Sequence, residues 1–130
     1  MMNIVPDDLL YTKDHEWIRQ EADGTCFVGI THHAQDSLGD VTFVEMPSIG
    51  QSFDRGSVFG VVESVKAASD LYMPVNGDII EINDDLNDSP ENVNNDPYNA
   101  GWMIKIKPNE ETTTDDLLNS ESYKTEIGES

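Results

Sequence analysis

The sequence predicts a mainly β domain, a small barrel or sandwich, with a short helix after the second strand and a helix at the C-terminus. Two observations predict it. Short β-rich runs recur at even spacing, and turn pairs such as Asp23-Gly24 and Asn76-Gly77 separate them. The 130 residues are 37% hydrophobic, which suits one domain around one core.

The elements follow in order. His15–Arg19 reads as a strand with Trp17 in it, and Cys26–Thr31 returns across the Asp23-Gly24 turn. Thr31 is a helix cap for His32–Leu38, which Gly39 ends. Val41–Met46 is a β run stopped by Pro47. Val58–Ser64 and Leu71–Val75 are two further strands, with Val65–Asp70 as the tip between them. After Asn76-Gly77 comes a strand holding Ile79, Ile80 and Ile82. Asn83–Pro97 is polar, carries two prolines and reads as loop with one helical turn. Trp102–Lys107 alternates Trp102, Ile104 and Ile106 against Met103, Lys105 and Lys107, the mark of a half-buried strand. Beyond Pro108 the composition turns acidic. Thr114 is read as a cap with Asp115 and Asp116 in the first turn, and Leu117, Leu118, Tyr123 and Ile127 as the apolar stripe of one helix. The expected organisation is an N-terminal extension over residues 1–10, a β domain over 11–108, and an acidic helix over 109–130 packed on it.

The formal net charge is −19, with pI near 4.1. It disfavours nucleic acid, which needs clustered Lys and Arg, and anionic membrane surfaces. It favours basic protein partners drawn in by long-range attraction. No apolar run is long enough to span a bilayer, and Met1–Asp8 has neither the basic nor the apolar part of a signal peptide. The single cysteine, Cys26, cannot form an internal disulfide, so a reducing cytosol is the expected compartment. Set in a strand without a base partner, it does not read as a nucleophile. His15, His32 and His33 lack a third well-spaced ligand, and adjacent residues do not share a helix face. The run from Asp85 resembles a calcium loop, but Pro90 stands where glycine is needed.

Lys and Arg number only seven, and one lysine stands apart. Lys66 lies at the expected tip, in Glu63-Ser64-Val65-Lys66-Ala67-Ala68-Ser69-Asp70. A tip lysine with small neighbours is open to a large enzyme, and its four-carbon stem suits a swinging arm. An ordinary exposed lysine would look the same.

A set of segments narrows the reading. Tyr11-Thr12-Lys13-Asp14-His15-Glu16-Trp17 opens it; Val28-Gly29-Ile30-Thr31, Ala34-Gln35, Leu38-Gly39-Asp40-Val41 and Phe43-Val44-Glu45-Met46-Pro47 follow. Then come Glu63-Ser64-Val65-Lys66-Ala67, Asp70, Pro74, Val75, Gly77, Pro97-Tyr98, Gly101-Trp102 and Lys105-Ile106-Lys107. In content and order these resemble the glycine cleavage system H-protein family. Met73 and Asn92 depart from the family pattern, where a small and an apolar residue are usual.

The resemblance implies a barrel-sandwich hybrid, as in lipoyl and biotinyl domains. It implies that Lys66 bears a lipoate in amide linkage and that the chain is a carrier, not an enzyme. The implied partners are a pyridoxal-phosphate (PLP) glycine decarboxylase, an aminomethyltransferase, a dihydrolipoamide dehydrogenase and a lipoylating enzyme. Glu63 would be a mark for the lipoylating enzyme, although a plain strand-end charge is an equal reading. A cleft that shelters the arm maps onto Asp14, Glu16 and Asp70. Gly56 and Gly77 suit paired turns at the far end of the hairpin unit. A biotinyl domain would carry Met on both sides of the lysine, where Val65 and Ala67 stand. A 2-oxoacid dehydrogenase domain would carry Asp before it and be followed by an Ala/Pro-rich linker. A plain acidic interaction or metal-binding domain is the third reading, disfavoured by the observations above.

Overall fold

The computed structural model describes residues 5–109 and 117–128. Two antiparallel sheets face each other. The larger has six strands in the order β1-β2-β3-β9-β8-β5, and the smaller has three in the order β4-β6-β7. The strands are β1 (Leu10–Tyr11), β2 (Glu16–Gln20), β3 (Cys26–Ile30), β4 (Val41–Glu45), β5 (Ser52–Phe53), β6 (Val58–Ser64), β7 (Ala68–Tyr72), β8 (Gly77–Ile82) and β9 (Ile104–Pro108). Four short helices complete it among the described residues: α1 (His32–Leu38), α2 (Asp85–Asp88), α3 (Asn92–Asn95) and α4 (Ser120–Glu126). The sheets form an open sandwich rather than a closed barrel.

Alternation along the strands builds the core. Ile18, Val28, Ile104, Ile106 and Ile79 from the larger sheet meet Val44, Val62 and Leu71 from the smaller. Leu86 and Val93, one from each short helix of the β8–β9 connection, complete this core. That connection holds two helical turns where the sequence predicts one. Met103 is fully buried, whereas the expected alternation put it with the lysines; the strand begins only at Ile104, so Met103 lies outside the pleat and its side chain is free to turn inward.

A second cluster, Leu9, Tyr11, Trp17 and Tyr123, ties the chain ends together. Tyr11 and Tyr123 stack with ring centroids 4.6 Å apart. Leu9 is buried and Leu10 pairs with Ile18, so the boundary drawn at residue 10 falls inside β1. Trp17 is wholly buried, and its Nε1 donates to the Pro97 carbonyl at 2.9 Å. Gly29 is needed opposite that ring, since a Cβ there would lie 2.8 Å from it.

The C-terminal helix differs from expectation. The expected cap Thr114, with Asp115 and Asp116, lies outside the described residues. Leu118 is extended and bridges to Tyr11, and α4 starts only at Ser120, where the Asn119 side chain accepts from Ser122 N–H. Asn119 supplies an Asx cap that Leu118, with no side-chain acceptor, cannot.

Candidate functional site

Lys66 lies in the turn joining β6 to β7. The two strands stay in register to the end, with Val62 opposite Ser69 and Glu63 opposite Ala68. The Ser64 N–H then donates to the Ala67 carbonyl at 2.8 Å, leaving Val65 and Lys66 as the tip. The turn is therefore tighter than the six residues expected, and β7 begins at Ala68 rather than Leu71. No Asn-Gly or Asp-Gly pair builds it. The Ser64 hydroxyl does that work: it accepts from the Lys66 and Ala67 N–H groups at 3.2 Å each and donates to the Ala67 carbonyl at 3.2 Å. Lys66 is exposed, and Val65 beside it is 67% exposed.

The turn rests on the link from α1 to β4. Val65 N–H donates to the Asp40 carbonyl at 3.0 Å. The Lys66 stem lies over Gly39, where a Cβ would stand 3.3 Å from Lys66 Cε. Gly39 closes α1 with φ +79°, a conformation glycine adopts without strain.

Beside the turn is a cavity of about 240 Å³. It is bounded by the start of β2, by α1, and by the facing stretches of β6 and β7. Asp14, Glu16 and Asp70 all line it, so the structure brings the three expected cleft residues together. Its other walls are apolar in part, with Ile30, Ala34, Leu38, Val62 and Leu71. A second cavity of about 440 Å³ opens on the far side, and Asp14 and Glu16 line that one too. Glu63 is not in the cleft; it is exposed on β6, in register between Phe43 and Ala68.

Glu16 is the unusual group. It is 2% exposed, the one buried acid among the described residues. Oε1 accepts from the Thr12 hydroxyl at 2.7 Å, and Oε2 accepts from the Tyr72 N–H at 3.3 Å. Burial pushes its carboxyl up to about 7, against the pull of those two hydrogen bonds, and Asp14 adds repulsion. Asp14 and Asp70 are exposed at the rim.

His15 and His33 also line the cavity, and sequence reasoning weighed them only as metal ligands. His15 takes a left-handed backbone with φ +68°, which explains why β2 starts one residue later than expected. Its Nδ1 is 2.9 Å from Tyr123 Oη, and that hydroxyl shares a 2.7 Å hydrogen bond with Thr31 Oγ1. Thr31 Oγ1 in turn caps α1 by accepting from Ala34 N–H. So α4 fastens one cavity wall. Burial, with repulsion from His33, holds the His15 ring below its usual pKa and favours the neutral imidazole.

Cys26 is buried on β3, and burial pushes its thiol up to about 11, the reverse of what a nucleophile needs. Among the described residues no helix is long and apolar enough to cross a membrane.

An exposed lysine on a strand turn, with a half-apolar cleft beside it, is an arrangement that fits a covalent carrier. Comparison with known proteins points the same way. The family model described as "Glycine cleavage H-protein" matches residues 9–130. A glycine cleavage system H protein of Escherichia coli O7:K1 is 53% identical over 123 residues, covering 95% of each chain. One from Neisseria meningitidis serogroup C is 52% identical over 127 residues, covering 98% of this chain and 99% of the relative. The crystal structure of a glycine cleavage system H protein from Mycobacterium marinum superposes with a TM-score of 0.87 at 40% identity, covering 95% of this chain and 99% of that one. With the match running through the lysine turn, the cleft and both ends of the fold, this chain belongs to the glycine cleavage H-protein family.

Proposed function

We propose that Lys66 is the lysine that bears the lipoyl group, with Glu63 as a mark for the lipoylating enzyme and Asp14, Glu16 and Asp70 as the cleft that receives the arm. The observation that carries this is the exposed Val65–Lys66 tip standing beside a cavity those three carboxylates share. As a member of its family the chain is a carrier and not a catalyst, with lipoate held covalently on a lysine. It takes the aminomethyl group of glycine from the PLP-dependent decarboxylase to the aminomethyltransferase and is then reoxidised by dihydrolipoamide dehydrogenase. The lipoyl group, when bound, supplies the dithiolane that accepts the aminomethyl group and changes redox state.

The residues present fit such a group. Lys66 has no ion-pair or hydrogen-bond partner for its amine among the described residues, so acylation breaks no contact there. Ala67 and Ala68 leave the approach to the tip clear. The mixed walls of the cavity suit a long apolar arm that ends in a polar head. A loaded arm ends in an amine that is cationic near neutral pH. Glu16, with its carboxyl raised to about 7 and so part-protonated near neutral pH, gives up its proton when that cation arrives, because an opposite charge favours the carboxylate. Asp70 and Asp14 add negative charge at the rim. Excluding water from the seated arm slows hydrolysis of the loaded group.

The test is the release of the one-carbon unit to water from the loaded carrier. The double variant Glu16→Gln, Asp70→Asn should still be lipoylated and should release about tenfold faster, the worth of a charge-assisted hydrogen bond. Unchanged release would refute the cleft assignment. We also place the protein in the bacterial cytoplasm, a reading supported by its bacterial relatives and its single cysteine.

A further inference from the structure

The polar connection between β8 and β9 reaches the lysine turn through one side chain. Asn94, on α3, is part-buried against the link between α1 and β4. Its Nδ2 donates to the Gly39 carbonyl at 2.8 Å and to Gln35 Oε1 at 3.0 Å. Its Oδ1 accepts from the Val41 N–H at 2.8 Å. Gly39 and Val41 are thus both held by one amide. Asp40 lies between them, and its carbonyl is the acceptor for Val65 N–H. Gly39 is also the surface on which the Lys66 stem lies.

We propose that Asn94 is a positioning residue for the lipoyl-bearing turn, holding the Gly39–Asp40 platform on which Val65 and Lys66 are seated. The inference rests on the reading of Lys66 given above. The chemistry explains the residue type. A primary amide offers two donors and an acceptor in one plane, and the platform presents two acceptors and one donor to it. Aspartate has the same shape but turns an oxygen toward the Gly39 carbonyl and Gln35 Oε1. Alanine leaves the part-buried Val41 N–H without its side-chain acceptor. The tip contains no turn-favouring glycine or asparagine, so beyond the Ser64 hydroxyl it depends on this outside support. A modifying enzyme that must take a lysine at a fixed place on a fixed turn then meets it already ordered.

The experiment uses the whole unmodified chain with Asn94→Asp and, in parallel, Asn94→Ala, should the aspartate variant fail to fold. Amide hydrogen exchange is read at Val65 and, as internal references, at Ile79 and Met103, whose N–H groups bond to Gln51 and Val28 carbonyls. Lipoylation by the lipoylating enzyme is followed by mass. The expected result is an approximately tenfold faster exchange at Val65 with the two references unchanged, and a similar rise in KM for the carrier with kcat held. Equal acceleration at all three amides would mean general destabilisation and overturn the proposal. So would an unchanged Val65 amide, or a loosened Val65 amide with unchanged lipoylation kinetics. A lipoyl mass on a lysine other than Lys66 would instead refute the reading of Lys66, leaving the exchange result to stand by itself.

Discussion

Glu16 shows how one buried group joins stability to the proposed arm cleft. It is placed by the Thr12 hydroxyl and the Tyr72 N–H, and burial raises its pKa to about 7. A carboxyl raised in the folded state binds its proton more tightly there than in the unfolded chain. The resulting stability is complete below the ordinary carboxylate range and is lost as pH rises through about 7. Glu16→Gln stays neutral throughout. Denaturant unfolding from pH 5 to 8 should therefore show the parent losing stability relative to Glu16→Gln by up to about 3 kcal/mol. A difference that does not vary with pH would contradict the placement. Legibility varied at this scale. Lys66 stood out in the sequence because cations are scarce. Glu16 was found by resemblance, and nothing in its neighbours foretold that it would be buried. Asn94 carries no such mark: it lies in the β8–β9 connection with Asn83, Asn87, Asn92, Asn95 and Asn99, and only the fold says which asparagine reaches the platform.

At the scale of elements, the sequence marked what has internal pattern. α1 matches the expected helix to the residue, because Thr31 and Gly39 are start and stop signals that lie next to the helix in the sequence. The first hairpin closes where the Asp23-Gly24 pair predicts: Glu21 N–H bonds to the Thr25 carbonyl, and Gly24 takes φ +89°. β1 and β5 were missed because two residues carry no periodicity; each is a strand only through a partner, Trp17 and Ile18 for one, Gly77 and Asp78 for the other. The lysine turn was placed correctly and drawn too long. Its closure depends on the Ser64 hydroxyl and on a bond from another element, neither of which a turn-pair signal encodes. α4 was shortened at its start for the related reason that Leu118 bridges to Tyr11, far away in sequence. Met73, a departure from the family pattern, is buried in the main core among Leu71 and Val75, away from the lysine turn.

For the whole molecule, the net charge of −19 sets the terms of encounter. A carrier that serves several enzymes in turn gains from fast arrival and fast departure. Diffuse acidity raises association rates without a large adhesive interface. Few exposed large hydrophobics are available for a tight one: Phe43, Ile49, Val58 and Val65 among the described residues. Turnover of the decarboxylase at subsaturating carrier should fall several-fold between about 0.01 and 0.15 M salt as the screening length shortens. Rates independent of salt would show that charge does not steer the encounter. The composition disfavours nucleic acid and anionic membranes as partners but does not name the enzymes, because steering fixes the sign of a partner's charge and not its chemistry.

The most direct test of the account is the mass of the protein made in a lipoate-competent host, with peptide mapping of the modified residue. The account predicts a single lipoyl increment on the peptide containing Lys66, absent from a folded Lys66→Ala chain. No increment, a biotin increment, or a lipoyl group retained in Lys66→Ala would contradict it.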